Sequence, residues 1–203
     1  MITTLLIIAV TCIVSFSAFN NRELAEKLIL WPPAVQRGQY YRLLTHGFIH
    51  ADQSHLLMNM FTLFFFGRAM EPLYERILGP AGFALFYLSA IVVAILPTYF
   101  ANKDNTAYRS LGASGAVSAV LFASILFQPW GVLLLFGIVP VPAILFAVAY
   151  VGYSIYSERR QADNINHSAH LWGAAYGVAF TVVAAPQVIS YFLEQLTHPR
   201  FSP

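Results

Sequence analysis

Apolar positions in this chain come in long runs, not in the narrow stripe of a surface helix or the alternation of a half-buried strand. The first run, Ile2 to Phe19, carries no charge. No Lys or Arg precedes it to form a basic n-region, so a retained membrane helix is expected here in preference to a signal peptide. Asn20 to Ser54 is a long polar and aromatic connection, and connections of this length are usually functional or folded in their own right. Its Trp31, Tyr40 and Tyr41 suit a membrane–water interface. A second helix is predicted from His55 to about Ile77, ended by Gly79-Pro80, and a third from about Ala81 to Phe100.

The next run is shorter. Ser114 to Phe127 is 14 residues, about 21 Å of helix against a hydrocarbon core of about 30 Å. A fourth helix here must start inside the membrane, with protein or a cavity around its start. Val132 to Val139, bounded by Gly131 and Pro140, can be extended instead of helical. A fifth helix is predicted from near Pro140 or Pro142 to about Tyr156, and a sixth from about Ala169 to Leu193, with a loose tail from Glu194. No repeat or second domain is visible. The expectation is one all-α polytopic membrane domain over residues 1–203, with six spanning helices.

Composition supports this. Hydrophobic residues are 58% of 203 and charged residues 10%, against about 25% charged in a soluble domain. Mean hydropathy is +0.64. Six helices of about 20 residues would use roughly 120 residues, which matches the apolar content. Disordered, nucleic-acid-binding and disulfide-scaffold classes are excluded, and Cys12 is the only cysteine. The net charge of +2 is too small to imply an acidic partner. Counted on alternate sides, Arg22, Lys27, Arg37, Arg42, Lys103, Arg109, Arg159 and Arg160 oppose Arg68, Arg76 and Arg200. That excess would put the first side in the cytoplasm.

Polar residues inside membrane helices are costly and therefore functional candidates. The second helix opens with His55 and Asn59, one turn apart. The fourth opens with Gly112-Ala113-Ser114-Gly115, and the sixth with Ala169-His170-Leu171-Trp172-Gly173, continuing to Gly177. Helices two, four and six run in one direction, so these three sets share a depth. A serine hydroxyl becomes nucleophilic when a base takes its proton, and His170 can be that base. His55, Asn59 and the Ser114 backbone N–H can donate to a developing oxyanion. Gly112 and Gly115 permit close backbone approach beside the serine. Gly173 and Gly177 give the sixth helix a small face for packing. Taken singly, each element reads as helix packing or an interfacial histidine. His46 and His50 read as shaping the first loop, and His167 and His198 as solvated.

Together the residues resemble the rhomboid intramembrane serine proteases, over about Tyr41 to Gly177. Tyr41-Arg42-Leu43-Leu44-Thr45-His46 is similar to the family's loop segment, and His50, His55 and Asn59 to its His-x4-His-x3-Asn pattern. Glu71 is similar to a structural acidic position, Gly112-Ala113-Ser114-Gly115 to the nucleophile motif, and Ala169-His170 with Gly173 and Gly177 to the histidine motif. The resemblance implies a six-helix rhomboid-like bundle in which Ser114 is nucleophile and His170 general base, without an Asp. It implies an oxyanion hole of the Ser114 amide, His55 and Asn59, and a first loop lying partly in the membrane. It implies transmembrane protein substrates in a lipid bilayer, cut near a helix end at a small residue, with no metal, cofactor or nucleic acid. Resemblance to bacterial members implies the inner membrane with the active site outside, opposite to the charge count; the family orientation is preferred. Many members have a Tyr on the catalytic His where this chain has Ser118, which puts the positioning of His170 in question. The alternative is a catalytically inactive relative that binds membrane proteins. A transporter lacks support from paired intramembrane charges, and a His46/His50/His55 metalloprotease lacks the His-Glu-x-x-His pattern.

Overall fold

Capping residues and glycines divide the apolar runs into helices. In the computed structural model, which describes residues 1–135, 138–160 and 165–199, α1 spans Ile2–Phe19. The first connection folds into three short helices, α2 (Arg22–Leu28), α3 (Pro32–Gln36) and α4 (Arg42–Thr45), and a 3-10 turn at His46–Phe48. Asn21 caps α2 by accepting from the Leu24 N–H, and Pro32 opens α3, where its fixed φ suits a first helical position.

The longest helix, α5 (Gln53–Leu78), starts two residues before the predicted His55 because Asp52 accepts from the His55 N–H at 2.8 Å. It ends at Gly79, whose φ of +84° no β-carbon tolerates comfortably. The third predicted helix is α6 (Gly82–Ala101) and the fourth is α7 (Ser114–Ile125), two residues shorter than expected. A two-stranded hairpin follows: β1 (Val132–Leu135) pairs antiparallel with β2 (Val139–Pro142), Val132 opposite Pro142 and Leu135 opposite Val139. The extended reading holds for Val132–Leu135 and Val139, with residues 136 and 137 outside the described residues, and the fifth helix, α8, follows at Ala143–Arg160.

The predicted sixth helix needs correction at both ends. It starts at His167, capped by Asn166, and α9 stops at Ala184. After a 113° bend, α10 covers Val188–Thr197. Pro186 explains the break: it cannot donate a helical hydrogen bond, and it drives Ala185 out of the helical region, to φ −142° and ψ 73°. The tail expected to be loose from Glu194 is helical to Thr197, and the Trp130 indole N–H donates to the Gln195 carbonyl. Residues 200–203 of that tail lie outside the described residues.

Helix α7 is the hub. Ten of its 12 residues are buried, and it touches α5, α6, α8 and α9, while α1 packs on α5. Outside, α1 shows Ile2, Leu6, Ile13 and Phe16, all at least half exposed. Helices α1 and α6 are each long and apolar enough to cross a membrane, and α9 with α10 meets the same criterion only as a bent pair, the form of a broken span or a re-entrant loop. Glu71 of α5 is fully buried, and its carboxylate accepts from the Thr3 and Thr4 amides at the start of α1, where a helix favours negative charge.

Candidate active site

Ser114 is the first residue of α7 and His170 lies in the first turn of α9. The Ser114 hydroxyl is 2.7 Å from His170 Nε2. What brings them together is backbone packing. A β-carbon on Gly173 would collide with the Gly115 carbonyl, and one on Gly177 would collide with the Ala119 carbonyl and lie 2.7 Å from its Cα. With no side chain between them, α7 and α9 meet backbone to backbone, as small-residue membrane faces allow. Gly115 itself lies against Ala94 of α6 and the Ala169 carbonyl.

The segment before Ser114 is pinned to the first connection at three points. Leu30 and Ser110 exchange backbone hydrogen bonds, and the Gly112 N–H donates to the His46 carbonyl at 2.9 Å. The Ala113 N–H donates to His50 Nε2 at 3.3 Å. With Nε2 accepting, a neutral His50 carries its proton on Nδ1, 2.9 Å from Ser15 Oγ, which in turn donates to the Phe48 carbonyl. His50 thus links α1, the first connection and the segment leading to Ser114. Burial lowers its pKa to about 3, helped by the neighbouring His55, and burial lowers that of His46 to about 4. Both therefore stay neutral as scaffold. Both ring nitrogens of His50 are thus engaged in hydrogen bonds.

His55 and Asn59 come from the start of α5. Gly112 has φ +114°, and a β-carbon there would sit 2.7 Å from His55 Cε1, so glycine lets the imidazole lie against the chain two residues before Ser114. Asn59 is buried and donates through Nδ2 to the His55 carbonyl at 3.1 Å, leaving its second amide hydrogen for another acceptor. Ser114, as the first helical residue, has an N–H without an intrahelical acceptor. Beside it lies a niche of about 10 Å³ bordered by His46, Ser110, Asn166 and Ala94, room for about one water.

Three features were not foreseen from the sequence. Asn166 caps α9 by accepting from the Ala169 N–H and donates through Nδ2 to Tyr108 Oη and Ser110 Oγ, while Thr98 of α6 donates to its Oδ1. An Asn just before an apolar helix is an N-cap signal, though its tertiary contacts have none. His167, expected to be solvated, is 3% exposed, with its ring edge-on to Tyr153 and to His170; its position three residues before His170 put it on the same helical face. Lastly, the ring missing at Ser118 is supplied by Tyr150 of α8, which stacks on His170. In addition, Arg42 is 6% exposed and donates to the Glu26 and Ile29 carbonyls, and Arg37 and Arg109 lie over Trp31. Part of the charge excess that set the orientation count is therefore structural.

The family model described as "Rhomboid domain" matches residues 37–187. The chain is 31% identical over 173 residues to the mitochondrial RHOMBOID-like protein 12 of Arabidopsis thaliana, covering 80% of this chain and 52% of that one. It is 31% identical over 160 residues to YdcA of Bacillus subtilis, covering 75% of each. To the rhomboid protease GluP of Bacillus subtilis it is 26% identical over 143 residues, 70% of this chain and 26% of GluP. It thus spans about half the length of the Arabidopsis relative and three quarters of YdcA. With a matching domain over most of its length and apolar helices able to cross a bilayer, this chain belongs to the rhomboid family of integral membrane proteins.

Proposed function

We propose that the protein is an intramembrane serine endopeptidase that cuts transmembrane protein segments near a helix end, with Ser114 as nucleophile and His170 as general base. The observation that carries this reading is the 2.7 Å contact between Ser114 Oγ and His170 Nε2, within reach for proton transfer. Ser114 Oγ attacks the scissile carbonyl carbon while its proton passes to Nε2. The imidazolium then protonates the leaving amine as the C–N bond breaks, leaving an acyl-enzyme on Ser114. Water, deprotonated by His170, releases the new carboxylate. The Ser114 N–H, His55 and the second Asn59 amide hydrogen stabilise the tetrahedral oxyanion, assisted by the positive end of α7.

In this reading six segments span the bilayer: α1, α5, α6, α7, α8 and the α9–α10 pair. At 12 residues α7 is about 18 Å long, so Ser114 lies below the membrane surface, and the niche beside it holds the water for deacylation. A substrate helix must unwind locally before attack, because its backbone hydrogen bonds shield the carbonyl.

The test is labelling of the purified protein by a fluorophosphonate probe, together with cleavage of a transmembrane model substrate. Labelling and cleavage are expected for the wild-type protein and should both vanish in Ser114→Ala, with cleavage also lost in His170→Ala. Turnover retained by Ser114→Ala would overturn the mechanism. Folded wild type that neither labels nor cleaves would favour the inactive, substrate-binding relative.

A further inference from the structure

The geometry points to Tyr150 as a positioning residue for His170, held in place by the same helix that carries Ser114. Its ring lies 6.1 Å from the His170 ring, centroid to centroid, with the planes 20° apart. That is within the range at which ring pairs interact favourably. The tyrosine cannot drift freely, because its hydroxyl hydrogen-bonds Ser118 Oγ at 2.8 Å. Phe122 and Phe146 flank the ring, each with its centroid 5.6 Å away.

Spacing explains why these contacts form a unit. Ser114, Ser118 and Phe122 follow one another at four-residue steps along one face of α7. The first meets His170 Nε2, the second holds the tyrosine hydroxyl, and the third packs on its ring. Helix α7 thus holds the imidazole twice: directly through the Ser114 hydroxyl and indirectly through the ring that covers one face. The matching pair one turn away, Tyr153 of α8 against His167 of α9, shows that α8 runs along α9 in register with these rings. A stacked ring restricts rotation of the imidazole about its side-chain torsions, so Nε2 stays aimed at the serine. A misaimed base costs rate without costing substrate affinity.

This inference rests on the dyad reading above, and the experiment separates the two. Active sites are titrated with the fluorophosphonate probe in detergent, so that kcat is counted per labelled Ser114, and kcat and KM are measured on a transmembrane model substrate. Tyr150→Leu, which keeps apolar bulk without a ring, should lower kcat by about tenfold, the scale of one ring contact, with KM unchanged. Tyr150→Phe retains the stack and should stay within about threefold of wild type, the scale of one neutral hydrogen bond. Ser118→Ala should match it, and Ser118→Ala with Tyr150→Phe should fall no further than the worse single change, because both remove the same hydrogen bond. An unchanged kcat per titrated site in Tyr150→Leu, with or without a lower Tm, would reduce Tyr150 to packing and overturn the inference. Multiplied losses in the double variant would also overturn it. If Tyr150→Leu does not fold, the Tyr150→Phe and Ser118→Ala series decides alone. Turnover by Ser114→Ala would instead sink the dyad reading itself.

Discussion

Two seams meet at His170, and they are built differently. Between α7 and α9, Gly115, Gly173 and Gly177 bring backbone against backbone, so the separation of Ser114 from His170 is set by main-chain geometry with few rotamers to vary. Against them lies α8, where only Ala143, Ala147, Ser154 and Ser157 of 18 residues are buried. Its hold on the site runs through side chains, chiefly the Tyr150 ring and hydroxyl. A fixed seam can set a distance; a side-chain seam can only bias an orientation.

The same substitution on the backbone seam and on the open face of α8 gives the sharpest contrast. Gly177→Ala drives a β-carbon into the Ala119 backbone, which cannot rotate away. It should cost about 3 kcal/mol, the upper end of overpacking penalties, read as a lower Tm in detergent and a loss of cleavage. Gly152 of α8 has nothing within 4 Å of an added β-carbon. Gly152→Ala should therefore leave cleavage intact and raise stability by about 0.5–1 kcal/mol through helix propensity. Equal effects at the two positions would mean that backbone contact does not set the α7–α9 seam.

Between these extremes lies the scaffold of the first connection. His50→Ala removes the acceptor of the buried Ala113 N–H, which should cost about 1–3 kcal/mol and slow cleavage by loosening the segment before Ser114. His50 and His46 also predict a pH dependence. Their folded pKa values, about 3 and about 4, lie below the unfolded value near 6.5. The unfolded chain binds more protons between these limits, so stability is full above about pH 6.5 and is lost as the pH falls toward 4 and 3. Tm should fall across that window, and His50→Gln, which cannot take up the proton, should lose less of it than wild type. A flat Tm from pH 6.5 to 4 would mean that neither histidine is held neutral by the fold.

Much of the architecture was legible in the chain because apolar runs, prolines and glycines act locally. Ser114 opens its helix as predicted, and Gly79 closes α5 where a glycine-proline pair announced it. The sixth helix, expected to run unbroken to Leu193, overshoots the end of α9 by nine residues because a continuous apolar pattern outweighed a single Pro186. Direction alone, with alternate helices parallel, was enough to bring Ser114, His170 and His55 to one end. Partners across the fold were beyond reach. Nothing in the residues around Ser118 names Tyr150, 32 positions later, as the source of a ring.

By itself, then, the sequence determined the class of molecule, most helix boundaries and the candidate site residues, because these follow from hydrophobicity, backbone restrictions and side-chain functional groups over a few turns. Tertiary structure alone decided that His50 holds the Ala113 amide, that Asn166 joins α9 to α6 and to the segment before Ser114, and that α8 supplies the ring on His170. Each of those contacts joins residues about 20 to 70 positions apart, where no local preference operates and only the packing of whole helices fixes which side chains meet.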